Sequence, residues 1–122
     1  MKNLKFTLLS ALVLIASTAS LRAEFLYVAN VGSYNISAYQ IGKNGSLTPV
    51  LGTPFPAGNR PTSVAVDPLG RFAHVTDFGS DSNNISAYQI GKNGSLTPIP
   101  GSPFPAANLP TSVTISPQFQ KE

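Results

Sequence analysis

The chain has 122 residues, 42% of them hydrophobic, with no cysteine and a formal charge of +3. That is enough for one ordinary domain, and it excludes both a disulfide framework and a cysteine-based zinc site. Lys2, Lys5 and Arg22 carry the whole excess of positive charge, so residues 24–122 are formally neutral and offer no basic stripe for a nucleic acid or an anionic membrane.

In chain order, the first 23 residues have the three parts of a secretory signal peptide. Lys2 and Lys5 form the positive start, residues 6–16 are almost wholly apolar, and small residues lead to cleavage after Ala19 or Ala23. The apolar stretch is too short to span a bilayer. The expectation is therefore an exported protein, periplasmic or extracellular, with no membrane attachment once the signal is removed.

Residues 25–30, FLYVAN, are aromatic and β-branched and predict a strand. A turn through Gly32 leads to residues 35–41, NISAYQI, a second strand with apolar groups on both faces. Residues 42–45, GKNG, predict a tight hairpin in which Asn44 and Gly45 both tolerate φ > 0. Residues 46–50 return, and the Gly- and Pro-rich stretch 51–61 predicts an irregular connector plugged onto the sheet by Phe55. Residues 62–67, TSVAVD, begin a second round of strands, with a turn at 67–70 that Asp67 caps and Arg71 pairs with. Residues 72–77, 84–90 and 96–99 follow, and 111–115, TSVTI, predict a last short strand.

The second round repeats the first. NISAYQIGKNGSLTP occurs at 35–49 and again, unchanged, at 84–98, an offset of 49. GTPFPAGNRPTSVAVDP at 52–68 returns as GSPFPAANLPTSVTISP at 101–117 with the same offset, and FLYVAN answers to FAHVTD at an offset of 47. Repeating units of four short strands, with tight hairpins and one outer connector, predict the blades of a β-propeller. The fold class is all-β: two four-stranded antiparallel blades of an incomplete propeller. The first unit covers 24–60 and the second 61–109, and 110–117 supply the first strand of a further blade or a ring-closing strand.

The stretch from Pro61 to Pro105 resembles the blade repeat of the lactonase-type β-propellers, the group that includes the seven-bladed 6-phosphogluconolactonases. It is similar also to YVTN-type repeats. Pro61, Pro68, Gly70, Arg71, Phe72, Ser86, Ala87 and Tyr88 carry the resemblance, which covers essentially the whole of 24–122. The sequence departs from it at His74, where Tyr is usual, and at Asp77, where Asn is usual. The resemblance implies a sugar-lactone ligand in an assembled ring, with catalytic groups drawn from several blades around a central funnel.

Rings close with about four to eight blades. Two blades fit three accounts: a remnant or truncated form of a longer lactonase-like gene, a trimer or tetramer completing a ring of six or eight blades, or a piece docking on another protein. Candidates for lactone chemistry are few. His74, the one histidine, and Asp77 are the catalytic candidates, although His74 also reads as a packing residue in place of Tyr27. Asp77 and Asp81 are the candidates for a cation site, but DFGSDSNN fits no calcium-loop spacing and these carboxylates read better as solvated turn residues. There is no G-x-S-x-G nucleophile elbow, and KNGS is a hairpin rather than a phosphate loop. No cofactor is expected, and the single chain is expected to lack lactonase activity.

Overall fold

The computed structural model describes residues 23–79 and 82–118. Nearly all of the expected signal peptide, and the candidate Asp81, lie outside the described residues.

Strands β1 (Glu24–Asn30), β2 (Asn35–Ile41), β3 (Leu47–Pro49) and β4 (Phe55–Pro56) make one sheet. Strands β5 (Pro61–Val66), β6 (Phe72–Asp77), β7 (Asn84–Ile90), β8 (Leu96–Pro98) and β9 (Phe104–Pro105) make the other. Every pairing is antiparallel. The order is β1-β2-β3 in the first sheet, with β4 also on β2, and β5-β6-β7-β8 in the second, with β9 also on β7. The repeat reappears as register: Ile41 faces Leu47 across β2 and β3, as Ile90 faces Leu96 across β7 and β8.

The local chemistry of each turn accounts for this pattern. In both Asn-Gly hairpins the glycine N–H closes on the carbonyl three residues earlier, Gly45 to Gly42 at 2.9 Å and Gly94 to Gly91 at 3.0 Å. Only the glycine of each pair is left-handed, with φ 84° at Gly45 and 87° at Gly94. The asparagine instead accepts from the serine two residues on, Ser46 N–H to Asn44 Oδ1 and Ser95 N–H to Asn93 Oδ1, each at 3.1 Å. The expectation of a left-handed Asn44 is thus corrected: its side chain, rather than its backbone freedom, earns it the position.

Two further expectations are corrected. The PFP connectors are not wholly irregular, since Phe55–Pro56 and Phe104–Pro105 each pair briefly with the central strand of their sheet. Residues 111–115 form no strand. They lie beside β5, where Val113 N–H meets Ser63 Oγ at 3.4 Å and Thr62 Oγ1 meets the Pro110 carbonyl at 3.5 Å. The counterpart segment β5 is paired with β6, and β6 is already occupied on both sides, by β5 and β7, so 111–115 cannot repeat that pairing there.

The two sheets pack face to face. Ile36 of the first sheet joins Ala73, Val75, Tyr88 and Leu96 of the second in one buried cluster, with Tyr27, Phe55, Ala57, Val64 and Ile90 packed against it. Hydroxyl groups buried by this contact need partners. Tyr27 Oη donates to the Gly94 carbonyl at 2.7 Å, and Tyr88 Oη donates to the Pro56 carbonyl at 2.8 Å. Each bond crosses from one sheet to the other. Backbone bonds from Phe78 N–H to the Arg60 carbonyl and from Gly79 N–H to the Asn59 carbonyl, both 3.0 Å, tie the connector to the far sheet, and the Arg60 guanidinium stacks 5.3 Å from the Phe78 ring centre.

Identical sequence acquires different burial in the two sheets. Tyr39 is half-buried while Tyr88 is buried. Leu47 is 47% exposed while Leu96 is 6% exposed. The second sheet has the first lying on it; the corresponding face of the first sheet has no cover among the described residues.

The Phe25 ring sits on Gly94 so closely that a methyl there would come within 2.5 Å of it, whereas nothing lies within 4 Å of a methyl at Gly45. Both glycines are left-handed, so alanine costs each about 1 kcal/mol of backbone strain. Gly94→Ala is expected to destabilise the chain by a further 1–3 kcal/mol or so relative to Gly45→Ala, through overpacking between the sheets. Urea unfolding of the two variants checks this, and equal losses would show that the sheets are not tightly joined there.

Candidate functional site

Strand β6 carries both catalytic candidates. Its period of two sets the first result, since residues three apart point to opposite faces of a sheet. His74 stands opposite Ala65 and Ala87, and Asp77 stands opposite Asn84 with Pro61 on the other side. The two side chains are not brought together. His74 is half-buried, with Nδ1 buried and without a partner.

Asp77 is fully buried at the end of β6. Ser86 Oγ donates to its Oδ2 at 2.6 Å, while Oδ1 is buried without a partner. Gly58 closes the space above the carboxylate: a methyl at Gly58 would come within 2.5 Å of it. Burial pushes the Asp77 carboxyl above the usual range, although Ser86 and the Gly58 backbone favour the charged form. This group is sealed rather than presented to a substrate.

The equivalent place in the first sheet explains its discomfort. There Asn30 Nδ2 donates at 2.8 Å both to Asn35 Oδ1 and to Ser37 Oγ. Ser86 corresponds to Ser37 and Asn84 to Asn35. An ionised Asp77 has nothing to donate, so Asn84 Oδ1, like Asp77 Oδ1, is left buried and unpartnered. A protonated Asp77 recovers one donor.

Asp67 is the expected turn cap. Its Oδ1 accepts from the backbone N–H groups of Arg71 and Phe72, the latter at 3.0 Å, and its Oδ2 meets Arg71 Nε at 2.8 Å. Burial raises the Asp67 pKa, but these bonds and the Arg71 charge outweigh it and hold the carboxyl below its ordinary value. The Asp67 and Arg71 pair lines a groove of about 800 Å³ between the sheets, together with Glu24, Phe25, Tyr27 and Lys92. Burial in this joint pushes the Tyr27 hydroxyl up to about 12. Both groups of the ion pair are spent on each other, and the groove holds no histidine. Among the described residues no three of His, Cys, Asp and Glu come together as a cation site, and Asp81 lies outside them.

The roles that sequence reasoning did not assign are those of Tyr27 and Tyr88 between the sheets and of Asn84 and Ser86 beside Asp77. A usable signal was present, since aligning the two units sets Asp77 against Asn30 beside otherwise identical neighbours. A family model described as Lactonase, 7-bladed beta-propeller matches residues 16–113. A search of curated proteins finds no match.

Asp77→Asn is expected to stabilise the chain at neutral pH by about 1 kcal/mol, by giving Asn84 a donor again. Because the folded-state pKa of Asp77 is raised, its favourable contribution is complete below the unfolded value of 3.8 and is lost as pH rises through the folded value. The gain from Asp77→Asn therefore shrinks toward acid pH. Denaturant unfolding across pH 3–8 measures it, and a variant less stable than the parent at pH 7 contradicts the assignment.

Proposed function

Since the chain belongs to the family of seven-bladed lactonase propellers, we propose that it is an exported propeller segment that does not hydrolyse lactones as a single chain. Its two sheets do not close a ring. One observation carries the reading: the acid–base candidates His74 and Asp77 lie on opposite faces of one strand, and the carboxylate of Asp77 is sealed under Gly58. Opening a lactone ring requires a base within reach of the attacking water and donors aimed at the developing oxyanion. No such set converges in this chain among the described residues. The segment that carries Lys2, Lys5 and the apolar run 6–16 supports export.

The second reading is self-association that completes a ring, as a scaffold or as a lactone hydrolase whose site is shared among copies. The open face of the first sheet favours it, because Val28 and Leu47 are exposed there while their counterparts Val75 and Leu96 are buried.

Purified single-chain protein given a sugar lactone is expected to show no ring opening above the buffer rate. Turnover by that fraction that disappears in His74→Ala sinks the first reading, whereas turnover confined to an oligomeric fraction supports the shared site. Export has its own check: N-terminal sequencing of protein recovered outside the cytoplasm is expected to begin at Ser20 or Glu24.

A further inference from the structure

We propose that the inner edge of β1 is the docking site for residues 110–115 of a second copy of this chain, so that copies join head to tail through the same kind of joint that holds the two sheets together within one copy. The proposal rests on the self-association reading and assigns its surface, its register and its partner.

β1 is paired with β2 on one side and with no strand on the other among the described residues. Its counterpart β6 has β5 in that place, with Ser63 opposite Thr76, Val64 opposite Val75, Ala65 opposite His74 and Val66 opposite Ala73. The segment PTSVTIS at 110–116 repeats the β5 segment PTSVAVD at 61–67, and β1 repeats β6. Carrying the register across sets Val113 opposite Val28 and Ile115 opposite Leu26. Val28 is 40% exposed, and its counterpart Val75, which has such a neighbour, is fully buried. The 110–115 segment is the one β5-like sequence in the chain that is not engaged in a ladder.

The two open ends also match as surfaces. Within one copy Arg60 stacks on Phe78. The residues in those places at the open ends are Leu109 and Val31, and both are exposed, at 54% and 46%. An apolar pair thus stands where the internal joint has a cation and a ring. Leu109 has the left-handed backbone of Arg60, with φ 57° against 58°, so the connector presents it in the same way. Gly45, with open space above it, stands where Gly94 receives Phe25, and Phe72 is the counterpart of Phe25. Tyr39 is the counterpart of Tyr88, whose hydroxyl reaches the connector carbonyl of Pro56; Pro105 supplies that carbonyl at the open end. At two further places the fit differs: Ala107 stands for Gly58, so the joint between copies opens there by the width of a methyl, and His74 stands for Tyr27, so the hydroxyl bond that Tyr27 makes to the Gly94 carbonyl within one copy has no counterpart to the Gly45 carbonyl. A head-to-tail joint of this kind generates a ring where the rotation closes, and two sheets per copy make six blades from three copies or eight from four.

The test uses the full chain, recovered from the exported fraction, and reads its native mass. Three or four copies are expected. Leu109→Asp is expected to lower the mass three- or fourfold while leaving the circular dichroism unchanged, and Leu109→Arg combined with Val31→Asp is expected to restore it. The chain has no cysteine, so Val28→Cys with Val113→Cys is expected to give, on oxidation, covalent ladders of copies that reducing agent dissolves. A single-copy mass for the parent protein overturns both this proposal and the self-association reading. An oligomer that ignores Leu109→Asp and forms no ladder overturns this joint while leaving self-association standing. A disulfide closed within one copy overturns it as well, by assigning the edge of β1 to the chain's own segment.

Discussion

A sheet with apolar residues on both faces must be covered on both, and this constraint governs the molecule. NISAYQI places Ile36 and Ala38 on one face of β2 and Tyr39 and Ile41 on the other. Burial of apolar surface is the dominant favourable term, so sheets of this composition stack on one another rather than float against water. One stacking contact between the sheets is seen among the described residues. It is held by an apolar cluster and by two tyrosine hydroxyls that each find a carbonyl on the opposite sheet. The difference in burial between two copies of one sequence follows from that contact alone.

The same constraint decides what could be read before the structure was known. Strand positions and pairing were legible, because alternation, Asn-Gly hairpins and an offset repeat are local signals. The strand expected at 111–115 was not, since a ladder needs a partner and the composition TSVTI cannot say whether one stands beside it. The role of Asn44 was misjudged for a related reason: a side chain that caps a turn and a backbone that bends it leave the same letter in the sequence. In the candidate site, the spacing of His74 and Asp77 already placed them on opposite faces of a strand. What spacing could not convey was the lid that Gly58 makes over Asp77, because that glycine comes from another sheet's connector.

Family membership and chemical competence therefore separate here. The residues that define the blade, such as Gly70 in its turn and Ser86 in its ladder, are occupied with turns, caps and ladders. Among the described residues Asp77 is the buried carboxylate that such work leaves incompletely satisfied, and it stands where the other unit has Asn30. Its polar strain is local to the joint and is not aimed at a cavity.

The duplicated phrase has a consequence for how the chain finds its fold. β2 and β7 are the same seven residues, so β1 and β6 each meet two chemically indistinguishable partners during folding. No side chain of those partners can reject the wrong choice, and the decision falls to chain connectivity. The correct β1–β2 closure spans the four residues 31–34, whereas pairing β1 with β7 encloses residues 31–83. Loop-closure entropy then favours the near partner by about 2 kcal/mol. The strands that differ, β1 and β6, and the short turns that bind them to their neighbours, are what keep an otherwise degenerate sequence from exchanging its own parts.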